Sequence, residues 1–250
     1  MSDVIEKLIR EVGGRFSSVF GINLESKDSG EIFKWFLASI LFGTRIGEGI
    51  VFNTYREFER RKVLTPDAIL ETGWDGLVQI LDDGGYVRYD FKTATKLLDI
   101  AKMLNEKYQG NLNMLHERAK DPRYLEKSLR EFKGVGPVTI DIFLRELREI
   151  WEKADPLPQD LAILAARNLG FTKFLGKDEA ERARILRCLK GTWEEAKLSR
   201  FKFSDFEAAL VRLGKDYCRK GKHEECPAKK HCKYCKGQTS KPIFTRKDKS

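Results

Sequence analysis

The chain has 250 residues, 41% of them hydrophobic and 34% charged, and its 47 Lys+Arg against 38 Asp+Glu give a formal net charge of +9. That length can bury one large core or two small ones, and the composition is that of a charge-covered folded chain rather than a disordered one. A membrane span is not expected, because no run of eighteen apolar residues occurs; the best stretch, 32–42, is short and carries Lys34.

Almost every segment between turn signals reads with helical period. Residues 3–12 place Val4, Ile5, Leu8, Ile9 and Val12 on one face behind a Ser2/Asp3 cap, and Gly13-Gly14 stops them. Residues 30–42 are mostly apolar and predict a core helix ended by Gly43. Pro66, with Thr65 as N-cap, opens a short helix over 65–72, and a second over 75–82 ends at Gly84-Gly85. Residues 90–108 carry a stripe of Leu97, Leu98, Ile100, Ala101, Met103 and Leu104. Segments 122–132, 137–152, 160–169, 178–190 and 203–217 bring the expected total to about ten helices. Strand-like alternation is nearly absent, so the fold class is all-α, with Gly- or Pro-marked turns.

The charge is unevenly placed. Residues 211–250 hold 13 Lys+Arg against 4 Asp+Glu, so the rest of the chain is neutral and the whole excess lies in the last forty residues. A basic segment on a neutral body suits a polyanion, usually nucleic acid, although a charge run alone equally describes a solvated tail, which is the expectation for 239–250. No basic-then-apolar leader opens the chain, so a cytoplasmic protein with reduced thiols is expected.

Three local patterns carry chemistry. In 129–143 an apolar helix end (Leu129, Phe132) meets Gly134-Val135-Gly136, and a second helix starts at Pro137. The glycines allow a tight turn, Val135 can plug the core, and the first-turn amides of the new helix can hold a phosphate. The same residues also suit an ordinary αα-hairpin. Asp160 follows Pro156-Leu157-Pro158 and heads a good helix, where an N-cap role accounts for it, with Asp155 and Asp141 as compositional rivals. Cys218, Cys226, Cys232 and Cys235, spaced x7, x5 and x2, imply a metal in a reducing setting, and four thiolates fit zinc or a [4Fe-4S] cluster alike. Cys188, in an amphipathic helix, is expected to be buried and apolar.

Segment 129–143 followed by Asp155–Leu164 in sequence (DPLPQDLAIL) resembles the helix–hairpin–helix, Gly/Pro-rich loop and aspartate of the endonuclease III superfamily of DNA glycosylases, and weaker similarity runs over 30–235. The resemblance implies a two-lobed all-α fold: a helical bundle over 30–150 with the hairpin at about 125–143, and a second lobe from 1–29 and 151–238 with a cysteine loop at 218–235. It implies an N-glycosylase of base excision repair that removes a damaged or mismatched base from duplex DNA as a monomer, in a prokaryotic cytoplasm and at the nucleoid. Asp160 becomes the catalytic carboxylate, which stabilises an oxocarbenium-like sugar. Lys133, Gly134, Val135, Gly136 and Thr139 become the DNA-facing hairpin. Tyr86 becomes the intercalating wedge, Arg88 a strand contact, and Thr44-Arg45 the residues that enter the vacated space.

Two departures from the family pattern matter. Bifunctional relatives carry a lysine two residues after the last hairpin glycine; Val138 stands there and cannot form a Schiff base, so a monofunctional enzyme is expected. Family cysteines are spaced x6, x2, x5, and here His223 stands three residues before Cys226, where a family cysteine would fall. The resemblance favours a [4Fe-4S] cluster on the four cysteines, with zinc as the alternative. A glycosylase/lyase using another lysine and a non-catalytic DNA-binding module are the competing functions.

Overall fold

The structure, a computed structural model, describes residues 2–236; the expected basic tail, 239–250, lies outside them. In chain order the helices are α1 (Ser2–Val12), α2 (Phe16–Val19), α3 (Ser29–Phe42), α4 (Glu48–Arg60), α5 (Pro66–Asp83), α6 (Asp90–Tyr108), α7 (Leu112–Arg118), α8 (Pro122–Arg130), α9 (Pro137–Arg145), α10 (Asp160–Leu169), α11 (Glu179–Ala196), α12 (Phe203–Leu213) and α13 (Lys233–Lys236). No strand occurs among the described residues, so the class is all-α. Among them too, no helix is long and apolar enough to cross a membrane.

The chain divides into two compact units: Phe16–Pro156, and residues up to Arg15 together with those from Leu157 onward. The expected boundaries, 29/30 and 150/151, therefore move to 15/16 and 156/157. The reason is local. The amides of Phe16 and Ser17 donate to the two carboxylate oxygens of Glu146 at 2.8 and 2.9 Å. The rings of Phe16 and Phe20 pack on Phe42, and Phe20 also on Phe52 and Tyr55.

The Phe16–Pro156 unit is built around α3. Asp28 caps it by accepting from the amides of Gly30 and Glu31. Nine of its residues from Ile32 to Leu41 are buried, as an interior helix that is apolar all round requires. Trp35 Nε1 donates to the Phe143 carbonyl at 3.0 Å, and Phe36 packs on both Phe132 and Phe143. Helix α4 was not read from the sequence, yet its buried residues Val51, Thr54, Tyr55 and Phe58 follow the i, i+3, i+4, i+7 pattern of an amphipathic helix. The pair expected over 65–72 and 75–82 is one span broken at Gly73, whose φ of 67° lies outside helical space. The helix expected over 137–152 stops at Arg145, and 146–154 continues as turns pinned by Glu146 and by Trp151, whose Nε1 donates to Asn113 at 2.8 Å.

In the second unit α1 packs on α12, and α10 lies against α12. Asp205 ties the N-terminal segment down, accepting from the Arg15 amide at 3.1 Å and the Lys202 amide at 2.9 Å. Helix α12 runs into a π-turn, Gly214–Cys218, that passes so close to α10 that a Cβ on Gly214 would sit 2.1 Å from the Leu161 carbonyl.

Glu146 has no exposed side-chain surface and pairs with Arg145, itself only 6% exposed. Glu146→Ala should leave two buried amides without their acceptor and remove the carboxylate beside the buried Arg145, and cost about 3–5 kcal/mol, a loss that chemical denaturation reads directly. Glu146→Gln, which keeps one acceptor oxygen, should lose less.

Candidate nucleic-acid interface and metal centre

The hairpin forms as the glycines dictate. Gly134 adopts a φ of +80°, Val135 turns into the core at 5% exposure, and Gly136 is the extended N-cap of α9 with Pro137 behind it. A glycine N-cap supplies no side chain to the first-turn amides of α9, and a Cβ on Gly136 would meet nothing within 4 Å. That combination leaves the first-turn amides without a side-chain acceptor, the arrangement in which a helix end can accept an anion. Lys133 is well exposed and pairs with Asp99 at 3.0 Å. Val138 is 55% exposed.

Thr139 departs from expectation. It is buried at 3%, and its hydroxyl occupies the space a Cβ on Gly43 would need, so it fastens α9 to the end of α3 rather than facing a phosphate.

A lysine missed in the sequence lies beside the hairpin. The Lys96 stem from α6 crosses Gly134 so closely that a Cβ there would be 2.7 Å from Lys96 Cε. Burial, and then the charge of Lys92, hold the Lys96 ammonium below the usual lysine range. The i, i+4 spacing of Lys92 and Lys96 on one helix face was the available signal.

The loop after α5 also corrects the reading. Tyr86 is fully buried, its hydroxyl donating to the Leu41 carbonyl at 2.8 Å and sharing a 2.6 Å hydrogen bond with Thr44. Burial pushes its phenol up to about 12. A side chain so enclosed locks the loop onto α3 and is not a wedge, and Thr44 is its half-buried partner. The exposed residues of this region include Val87 (63% exposed), Arg88, which lies over the Tyr89 ring at 5.4 Å, and Arg45.

In the other unit, Gln159 is the N-cap of α10 and Asp160 is its first helical residue, one position later than an N-cap role requires. The carboxylate is 85% exposed and forms an ion pair with Arg182 of α11, which also donates to the Pro158 carbonyl at 2.9 Å. Asp155, in the Phe16–Pro156 unit, is held by Arg148 in the same manner, with Arg148 also bonded to the Pro156 carbonyl. Asp141 lies half-buried on α9.

The four clustered cysteines all belong to the unit that holds Asp160. Cys226 and Cys232 are buried, Cys218 and Cys235 half-buried, and all are free thiols. The Cys232 thiol donates to the Asn168 carbonyl at 3.3 Å and receives the Cys235 amide at 3.4 Å. Burial raises the Cys218 thiol to about 11 and the Cys235 thiol to about 12, and Cys226 and Cys232 act on both. Four thiols that feel one another suit a shared metal, which would take them all as thiolates. As positioned, no three metal-ligating side chains among the described residues form a ready coordination set. His223 Nδ1 lies 4.0 Å from Cys235 Sγ. Cys188, expected to be buried, is half-buried and borders a cavity.

A bound cluster would give the anaerobically purified protein a brown colour that chelation bleaches, whereas bound zinc would leave it colourless with stoichiometric metal. Elemental analysis alongside visible absorbance distinguishes the two. Comparison with family models and with curated proteins returns no match, so the functional reading rests on these residues and their geometry.

Proposed function

We propose that this chain is a DNA N-glycosylase of the endonuclease III type, acting on duplex DNA that contains a damaged or mismatched base. The observation that carries the reading is the hairpin: Gly134 in left-handed space, Val135 plugged into the core, and Gly136 open at the head of α9. Such an end offers backbone amides to a phosphate without a competing cap.

Asp160 supplies the chemistry in this reading. As the bond between sugar C1′ and the base nitrogen breaks, its electron pair leaves with the base and positive charge develops on the sugar. An exposed carboxylate beside Arg182 is open to an approaching sugar, and its negative charge would stabilise that cation. Water then adds its oxygen to C1′, and Asp160 is placed in the scheme as acceptor of the proton it releases. Val138 has no amine to capture the sugar. Cys218, Cys226, Cys232 and Cys235 would hold a [4Fe-4S] cluster, or zinc, whose contribution is to cross-link the basic segment around them.

A second reading, cleavage of the abasic strand as well, is favoured by Lys96 alone: an amine without an ion pair among the described residues, lying across Gly134, and depressed by burial.

Duplexes bearing single lesions, treated with alkali to reveal abasic sites, test both. Asp160→Asn should slow base release by about two to three orders of magnitude and leave lesion binding in place. Wild-type protein should leave intact abasic DNA, and borohydride should trap little adduct. Efficient trapping that Lys96→Ala removes would establish the second reading, and binding without base release from any lesion would leave a DNA-binding module. Gly136→Asp should weaken binding to all duplexes and flatten its salt dependence, since it sets a negative charge at the phosphate-accepting end.

A further inference from the structure

A cavity of about 650 Å³ opens in the unit that holds α10 and the cysteines, within the roughly 300–1,000 Å³ of ligand pockets in general. Its lining pairs two kinds of side chain. Arg167, Lys173 and Lys233 supply three positive charges, no Asp or Glu lines it, and none of the three cations has a hydrogen bond or ion pair among the described residues. Phe171, Phe174 and Tyr234 supply three aromatic rings. These rings are anchored from outside: Phe171 packs edge-on to Phe206 at 5.6 Å, Arg184 lies over Phe174 at 5.9 Å, and Tyr234 leans on His223 at 5.1 Å.

Two of the six come from the turn between Cys232 and Cys235. The Lys233 stem crosses Gly170 so closely that a Cβ there would meet Lys233 Cδ at 2.4 Å, and Gly170 holds a φ of +83° that favours glycine in any case. Asn168, whose carbonyl takes the Cys232 thiol, lines the same cavity. The cysteine turn thus supplies part of one wall.

Three cations without a partner among the described residues call for an anion carrying more than one charge, and three rings call for a flat, π-bearing group beside it. We propose that this cavity binds one nucleotide unit, with its phosphate among Arg167, Lys173 and Lys233 and its base against the aromatic rings. The unit can arrive as a free nucleotide or as an unpaired residue of a DNA strand; the recognition chemistry is shared. Neither Asp160 nor the hairpin takes part, so the inference goes beyond base excision and stands apart from it.

Cys188 borders the cavity and serves as an internal probe. The full-length, metal-loaded protein is alkylated, and the modification rate at Cys188 is read by peptide mass spectrometry with and without ligand. A deoxynucleoside 5′-monophosphate or a short single-stranded oligonucleotide, at ten times its dissociation constant, should slow Cys188 alkylation about tenfold. Protection by the oligonucleotide alone identifies a strand residue as the occupant; protection by both identifies a site for free nucleotides as well. Arg167→Glu with Lys173→Glu should abolish protection while circular dichroism and melting stay unchanged. If that variant does not fold, Phe174→Ala and the salt dependence of protection in the wild type serve instead, and both should reduce it. No protection by either ligand, equal protection by inorganic phosphate at the same concentration, or protection that survives in the folded variants would overturn the proposal. Base release measured on the same preparations is a separate readout, so failure here and failure of the glycosylase reading are distinguishable.

Discussion

Glu146 is a carboxylate with no exposed side-chain surface, and its burial is tolerable only because every direction around it is answered. Two amides from the chain entry at Phe16 and Ser17 bind its two oxygens, and Arg145 stands beside it with the Phe16 ring under the guanidinium. This one charge ends α9, seats the N-terminal segment of the unit at the start of α2, and fixes where the unit begins. The same helix is fastened at two further points along its length, by Thr139 against Gly43 and by the Phe143 carbonyl under Trp35. Its far end, at Gly136, is therefore left bare while the rest cannot shift. An anion site assembled from backbone amides depends on such anchoring, because the donors themselves have no side-chain freedom with which to adapt.

Much of this was legible in the sequence, and what was not has identifiable causes. The hairpin turn was readable because glycine, valine and proline each answer a local backbone demand. The core helix α3 was readable because an unbroken apolar run leaves few alternatives. The end of α9 was not readable: apolar periodicity continues through Leu147, Ile150 and Trp151, and the helix gives way to turns where Glu146 and Trp151 take partners distant in the chain. Tyr86 after Gly84-Gly85 had the look of an exposed tip, but its hydroxyl partner, the Leu41 carbonyl, lies forty-five positions earlier in the chain and no local pattern announces it. Thr139 was misread for a related reason, since a helix N-terminus places some first-turn side chains outward and others inward. The α4 stripe was present in the sequence and went unread.

The basic character of the C-terminal segment also changes meaning once side chains are placed. Lys220 pairs with Asp216, Lys222 with Glu225 and Lys229 with Glu224, so a good part of its positive charge is answered within a few residues. These exposed pairs contribute little stability. They do, however, leave the segment's remaining positive charge on fewer groups, such as Lys233, which has no ion pair among the described residues. Net charge therefore overstates the segment as a whole.

The π-turn at Gly214–Cys218 inserts one extra residue per turn into the end of α12. In an unbroken α-helix, Cys218 would point about 100° away around the axis. The turn therefore acts as a torsional setting that chooses which way the first of the four thiols faces. Its glycine rests against the carbonyl of Leu161, the residue after Asp160. Winding or unwinding this single turn would rotate a thiol and push on the backbone beside the carboxylate in one movement, so that the chain carries a mechanical linkage between its clustered thiols and the head of α10.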